Sequence, residues 1–105
     1  MEFKTRPGVE LVHICGTHLL VASRQAWQYC PHVMEITKGA SITWSLLEKG
    51  KSLKTITQFL AIISRRPIHE MQEQLDNLLE KLLAQGYLIM EDSDEEYGYY
   101  DKDMK

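Results

Sequence analysis

The chain has 105 residues, of which 44% are hydrophobic and 26% charged, and its formal net charge at pH 7 is −3. A chain of this length buries roughly 60–65% of its unfolded surface, which supports one modest core and leaves little room for an enclosed active site. It has no apolar run long enough to span a bilayer, no N-terminal signal pattern, and two cysteines, too few for a disulfide framework, so we expect a cytoplasmic protein.

The first two strands are predicted near the N-terminus, after the Pro7-Gly8 turn signal. Val9–Cys15 and His18–Ser23 are rich in Val, Leu and Ile, and Gly16-Thr17 between them suits a two-residue hairpin turn. The expected cross-strand pairs are Cys15 with His18, His13 with Leu20, and Leu11 with Ala22. The opposite face is more apolar and is expected to contact the helices; it carries Val12, Ile14, Leu19 and Val21.

A third strand is predicted at His32–Ile36, with Met34 and Ile36 on one side. Between the hairpin and this strand, residues 24–31 are expected to form a short helical turn that Pro31 closes. Three strands that precede all the helices favour an α+β fold.

Two helices are predicted after the third strand. Thr37 is the expected N-cap of the first, Lys38–Lys49, and Gly50 ends it. Ser52 is the expected N-cap of the second, Leu53–Arg65. The predicted inner stripe of the second helix consists of Leu53, Ile56, Leu60 and Ile63, with Phe59 at its edge.

The third predicted helix begins at Pro67, since proline is favoured in a first helical turn, and runs to Gln85 before Gly86. Its apolar stripe spans roughly 140°, wider than the ~100° of an ordinary surface helix. The stripe consists of Ile68, Met71, Leu75, Leu78, Leu79, Leu82 and Leu83. Either the whole stripe is core, or one margin at Met71 and Leu78 stays open as the wall of a groove; the pattern alone does not decide.

Charge separates the end of the chain from the rest. Residues 91–105 carry seven acidic side chains against two lysines, whereas residues 1–90 have a net charge of +2. The acidic segment cannot bury enough apolar surface to fold alone. We therefore predict one domain over residues 1–90, ending in the apolar exit Tyr87–Met90, and an acidic, disordered tail over residues 91–105.

Four segments follow one another along the chain: RPGVELV, THLLVA, EITKGASITWSLLEKGKSL and EMQEQLDNLLEKLLAQGYL. In their order and spacing, over about Pro7–Ile89, the chain resembles the PqqD-like family, the precursor-peptide recognition elements of ribosomal-peptide maturation. The resemblance implies a winged-helix-like domain, with an N-terminal three-stranded antiparallel sheet followed by three helices. It also implies a non-enzymatic adaptor that binds a precursor's leader peptide by β-strand addition and presents it to a maturation enzyme, often a radical SAM enzyme.

β-Strand addition gives affinity through backbone hydrogen bonds and selectivity through pockets for alternate side chains. The expected peptide-binding site therefore combines the third strand with the open margin of the third helix. Its predicted residues are Val33, Met34, Glu35, Ile36, Met71, Leu75 and Leu78. No cofactor, metal or membrane partner is expected, and no catalytic motif places a base beside a nucleophile.

Two other functions remain open from the sequence. A winged-helix layout also suits a regulator that binds DNA or another protein, but residues 67–86 carry four acidic side chains against Lys81, which would repel phosphate, so no DNA is expected. A small metal or redox protein is the second alternative, because zinc accepts Cys and His ligands. Its residues would be His13, Cys15 and His18 on one hairpin face, with Cys30 and His32 downstream, although zinc-type C-x-x-C spacing is absent.

Overall fold

A computed structural model of the chain describes residues 2–91, which form strands, one turn of 3-10 helix and three α-helices. In chain order these are β1 (Glu2–Thr5), β2 (Val9–Ile14), β3 (Thr17–Ala22), the 3-10 turn (Arg24–Ala26), β4 (Val33–Ile36), α1 (Lys38–Glu48), α2 (Leu53–Ser64), α3 (Ile68–Gln85) and β5 (Leu88–Glu91). The predicted α+β class, with a three-stranded antiparallel sheet followed by three helices, is confirmed. The predicted tail lies outside the described residues except for Glu91.

The β2–β3 hairpin turns one residue earlier than predicted. Its turn residues are Cys15 and Gly16, and both have left-handed backbones, with φ of 51° and 79°. Two such residues in a row match the right-handed twist of the flanking strands, which explains why the chain accepts this conformation at Cys15. The predicted register is therefore wrong; the observed pairs include Val9–Ala22, Leu11–Leu20, His13–His18 and Ile14–Thr17.

The face of the hairpin that contacts the helices is also the opposite of the predicted one. Val9, Leu20 and Ala22 are buried, whereas Ile14 is 54% exposed; Val12, Leu19 and Val21 are only half-buried. Pairing with β4 sets the inner face of the hairpin, because Leu20 lies opposite Met34 and His18 lies opposite the buried Ile36. A comparison of the two hairpin faces alone could not include that constraint.

The helix starts follow their capping residues. The Thr37 hydroxyl accepts a hydrogen bond from the Ala40 amide at 3.1 Å, and the Ser52 hydroxyl accepts one from the Thr55 amide at 3.1 Å. Both predicted N-caps are therefore confirmed. On α1 the fully buried Trp44 occupies the centre of the core.

The buried stripe of α2 is rotated from the predicted one. Ile63 is 48% exposed, so its assignment to the inner face was wrong. The buried residues of α2 are Ile56, Thr57, Leu60 and Ala61. The Thr57 hydroxyl donates to the Leu53 carbonyl at 2.8 Å, which satisfies its polar atom inside the helix and allows a threonine to be buried there.

On α3 the two margins of the apolar stripe differ in burial from its centre. Met71, Leu75, Leu79 and Leu82 are buried, and Ile68 is 49% exposed. Leu78 and Leu83 are half-buried and pack against the edge of the core. No helix within residues 2–91 is long and apolar enough to cross a bilayer.

A second, two-stranded sheet joins the two ends of the described chain. β1 pairs with β5 in antiparallel register from Glu2–Glu91 to Thr5–Leu88. The sequence did not predict β1, and Tyr87–Met90 was predicted only as an apolar exit. Each strand has four residues, and neither carries a local signal of a partner more than 80 residues away.

The loop before β4 is attached to this second sheet by aromatic and backbone contacts. The fully buried Tyr87 donates its hydroxyl to the Pro31 carbonyl at 2.7 Å, and the Arg6 guanidinium lies 4.2 Å from the centre of the Tyr29 ring. Burial raises the pKa of the Cys30 thiol, which lies in this loop. Cys30 is therefore held protonated, and Cys15 is the exposed thiol of the described residues.

Two glycines with the same left-handed backbone should respond differently to substitution by alanine. A Cβ at Gly86 (φ 90°) would lie 1.9 Å from the Tyr29 carbonyl oxygen, whereas a Cβ at Gly50 (φ 78°) would meet nothing within 4 Å. We expect Gly50→Ala to lower the free energy of unfolding by about 1 kcal/mol, from backbone strain alone. Gly86→Ala should lower it by about 3 kcal/mol or more, because the loop carrying Tyr29 must also move.

Chemical denaturation of the two variants measures this difference. Gly50→Ala serves as the matched control for left-handed strain. Equal losses of stability would show that the loop before β4 is not packed against the end of α3 as described.

Candidate functional site

β4 is an edge strand of the three-stranded sheet, and its outer edge leads directly into the first turn of α1. The strand order is β2-β3-β4, so β4 is paired on one side by β3. The Ala22 amide donates to the His32 carbonyl at 2.8 Å, directly across the ladder. Because hydrogen-bonded pairs alternate along antiparallel strands, the backbone groups of Met34 and Ile36 also point to β3, and those of Val33 and Glu35 point outward.

These outward groups have no partner elsewhere in the described chain. Within residues 2–91, the N–H and C=O groups of Val33 and Glu35 make no backbone hydrogen bond outside the ladder. Val33 is 54% exposed and Glu35 is also exposed. An unpaired edge of this kind is a template on which another extended chain can form a strand.

An apolar slot lies immediately after β4, between the first turns of α1 and the middle of α3. Its volume is about 140 Å³. Ala40 and Thr43 of α1 form one wall, and Met71, Leu75 and Leu78 of α3 form the other. An apolar cavity of ~150 Å³ holds a group the size of benzene, so the slot has room for one medium-sized apolar side chain.

The two hydroxyls that line the slot are already engaged within α1, and its other polar lining group is the side-chain amide of Gln74. The Thr43 hydroxyl donates to the Gly39 carbonyl at 2.9 Å, and the Thr37 hydroxyl is engaged by the Ala40 amide. A ligand group entering the slot therefore meets mainly the apolar side chains of Ala40, Met71, Leu75 and Leu78, with the Gln74 amide as a polar neighbour. Gly39 and Ala40 both line the slot, and a Cβ at Gly39 would meet only the Thr37 hydroxyl, at 4.0 Å.

The structure brings the helical residues of the predicted site together. Met71, Leu75 and Leu78 line one slot, with Met71 and Leu75 buried and Leu78 half-buried at its mouth. The strand residues Val33–Ile36 lead into it through Thr37, which follows β4 directly and also lines the slot. Their role in binding a peptide stays a prediction.

Sequence reasoning missed the α1 side of the slot. Thr37 was assigned only as a cap, and Gly39, Ala40 and Thr43 were not singled out for a site. The available signal was the run of three small residues, Gly39-Ala40-Ser41, in the first turn of a helix that directly follows a strand.

The other end of β4 is bounded by an aromatic pair. Trp27 donates its indole N–H to the Ala22 carbonyl at 2.8 Å and stacks on His32 with ring centres 4.3 Å apart. Trp27 is 45% exposed. The pair thus limits the open edge at the Val33 end, and the slot limits it at the Ile36 end.

The charges on α3 oppose the nucleic-acid alternative. Glu73, Asp76 and Glu80 are exposed on this helix, and Glu70 is engaged by Arg66 at 3.1 Å. α3 is the helix that a winged-helix protein would place against DNA, and these carboxylates would repel the phosphates.

The residues of the metal alternative are not assembled into a site. His13 and His18 stack on each other with ring centres 4.5 Å apart, but Cys15 lies in the turn and not on their strand face. Cys30 is buried, with its thiol near the Ala26 carbonyl. Within the described range 2–91, His, Cys, Asp and Glu side chains form no group of three or more that could hold a metal ion.

Two solved structures share this fold. One is TbiB1 in complex with the TbiA(beta) leader peptide, with a TM-score of 0.70 and 20% identity over 85% of this chain and 98% of that one. Another is lasso peptide synthetase B1 complexed with the leader peptide, with a TM-score of 0.68 and 18% identity over 86% of this chain and 100% of that one. At such identities the likeness establishes the fold alone. No protein-family profile and no curated protein sequence matches the chain.

Amide hydrogen exchange should alternate along β4. The Met34 and Ile36 amides are bonded to β3 and should exchange slowly, whereas the outward amides of Val33 and Glu35 should exchange much faster. Residue-resolved exchange measured by NMR on the free protein checks this pattern. Protection of all four amides would mean that the outer edge of β4 is already covered.

Proposed function

We propose that this protein is a non-enzymatic adaptor that captures the leader segment of a ribosomally made precursor peptide by β-strand addition. The single observation that carries the proposal is the open edge of β4, with the outward backbone groups of Val33 and Glu35, beside an apolar slot. Two proteins of the same fold were solved with leader peptides bound, which supports the proposal.

The geometry specifies how the leader would be held. An extended guest chain beside β4 would exchange backbone hydrogen bonds with Val33 and Glu35, giving affinity that depends little on its sequence. Every second guest side chain would point to the inner side of the sheet, where the slot takes one apolar group. Selectivity would then depend on the size and polarity of that one residue.

Presentation to a maturation enzyme completes the proposed function. An adaptor bound to both leader and enzyme raises the effective concentration of the substrate at the catalytic site, commonly to the millimolar range. The chain's resemblance to PqqD-like proteins suggests a radical SAM enzyme as this partner, acting in the cytoplasm. A search for short peptide and radical-enzyme genes beside this gene is the simplest check of the partner.

Proline at Val33 should weaken leader binding without disturbing the β3–β4 ladder. The Val33 N–H points outward, so Val33→Pro removes a donor to the guest strand and no bond of the native sheet. We expect about tenfold lower affinity, from the loss of one backbone hydrogen bond. The probes are synthetic leader-length peptides from the short reading frames beside this gene, titrated against labelled protein while amide shifts are followed.

Val33→Thr is the matched control, because it keeps the N–H and the β-branched shape. Its affinity should stay within about twofold of the original. If Val33→Pro folds, judged by its amide spectrum, and binds a leader as tightly as Val33→Thr does, strand addition at β4 is wrong.

Truncation of Leu78 should test the slot. Leu78 and Leu83 are both half-buried leucines on α3, but only Leu78 lines the slot. Both Leu78→Ala and Leu83→Ala should lose similar stability, since both remove contacts at the core margin. Only Leu78→Ala should also bind the leader about tenfold more weakly, because the slot loses one wall.

Calorimetric titration and denaturation of the two variants separate these effects. Equal affinity in both variants would remove Leu78 from the proposed site while leaving strand addition at β4 intact.

A further inference from the structure

A second apolar groove lies between α1 and α2 and shares no lining residue with the slot. Its volume is about 480 Å³, and its floor is formed by Ile42, Leu46, Phe59 and Ile63. Phe59 is 44% exposed and Ile63 48% exposed. Lys38 and Lys49 line the groove as well. We call this surface the α1–α2 groove. Contiguous exposed apolar surface with a charged rim is typical of an interaction site.

The charged side chains around this groove are predominantly basic. Residues 37–66 contain six basic side chains and one acidic side chain, Glu48. None of Lys38, Lys49, Lys51 and Lys54 forms an ion pair within the described part of the chain. The groove therefore suits an occupant that combines acidic groups with large apolar side chains.

The described chain ends close to this basic surface. Glu91, the last residue of β5, pairs with Glu2. Glu2 and Lys4 line a cavity of about 390 Å³ together with Lys51 and Leu53, at the turn from α1 to α2. Glu91 thus lies near the end of α1, and Lys49 of the α1–α2 groove lies two residues before Lys51.

The following segment, residues 92–105, has the composition that the groove requires. It carries six acidic side chains against two lysines, and three tyrosines at Tyr97, Tyr99 and Tyr100. An extended chain spans at most ~3.3–3.6 Å per residue, so Tyr97 can reach roughly 20 Å from Glu91. The 11-residue helix α1 is about 16 Å long, so the tyrosines can reach the whole groove.

We propose that residues 92–105 bind the α1–α2 groove of their own chain, with the tyrosines on Phe59 and Ile63 and the carboxylates near Lys38 and Lys49. The tether makes even weak contacts effective, because the segment is present at a high local concentration. The leader site is a poorer location for this segment, since Glu73, Asp76 and Glu80 of α3 would repel it. The groove is thereby covered by an acidic segment of the same chain and is distinct from the site at β4.

Paramagnetic relaxation in the full chain tests this contact. A nitroxide is attached at Gly98→Cys in a Cys15→Asn background, since asparagine tolerates the left-handed turn position and the buried Cys30 stays unlabelled. Amides of Ile42, Lys49, Phe59 and Ile63 should lose about half or more of their intensity, as expected for a tethered site occupied much of the time. Amides of Glu73 and Glu80 should keep theirs.

Substitutions of the lysine and of the tyrosines test the charge attraction and the apolar contacts separately. Lys49→Gln should reduce the broadening, whereas Glu48→Gln on the same helix turn should not, because only the lysine attracts the acidic segment. Replacing all three tyrosines by serine should also reduce it. If both lysine and tyrosine variants leave the broadening unchanged, the proposed contact is wrong.

A mixed sample tests whether the tail of a second copy of the chain, rather than the protein's own tail, occupies the groove. Spin-labelled protein without nitrogen-15 is mixed with nitrogen-15 protein that carries no label. Broadening in that mixture would assign the groove to a second copy of the chain and overturn the proposal. Absent or uniform broadening in the singly labelled sample, or broadening centred on α3, would overturn it as well.

Discussion

The pairing of β4 on one side only is the constraint on which the functional account depends. Every backbone N–H and C=O group needs a partner, and along an antiparallel strand the groups of successive residues point in opposite directions. In β4 the groups of Met34 and Ile36 are bonded to β3, and those of Val33 and Glu35 are left to solvent or to a guest chain. The strand is four residues long and carries Glu35 on its exposed face, which limits unwanted pairing between copies.

The slot beside this edge follows from the local sequence at the start of α1. Thr37 caps the helix with its own hydroxyl, and Gly39 and Ala40 in the first turn line the slot between α1 and α3. α3 packs against α2 and β5 and contributes Met71, Leu75 and Leu78 to the slot. One short stretch therefore ends the open strand, starts the helix and forms one wall of the slot.

The sequence predicted the helices and the fold class well because their signals are local. The caps at Thr37 and Ser52 and the glycines after α1 and α3 lie within a few residues of the boundaries they set. The hairpin register was not predictable in the same way, because the left-handed backbone at Cys15 depends on the twist of the finished strands. The error at Ile63 has a similar origin, since burial of Thr57 and Ala61 depends on how α2 rotates against its neighbours.

The pairing of β1 with β5 had no local signal, because its partners lie at opposite ends of the described chain. For the candidate site, the strand and the α3 leucines were apparent in the sequence, but their adjacency was not. The width of the α3 stripe could not distinguish Leu79, which is buried, from Leu78, which lies at the mouth of the slot. Only the packing of α3 against its neighbours separates them.

The central claim is tested most directly by isotope-filtered NMR on labelled protein with a bound, unlabelled leader peptide. The account predicts cross-strand proton contacts between the peptide backbone and Val33 and Glu35, together with contacts from one apolar peptide side chain to Leu75 and Leu78. Peptide contacts confined to other surfaces, such as the outer edge of β2, would contradict it.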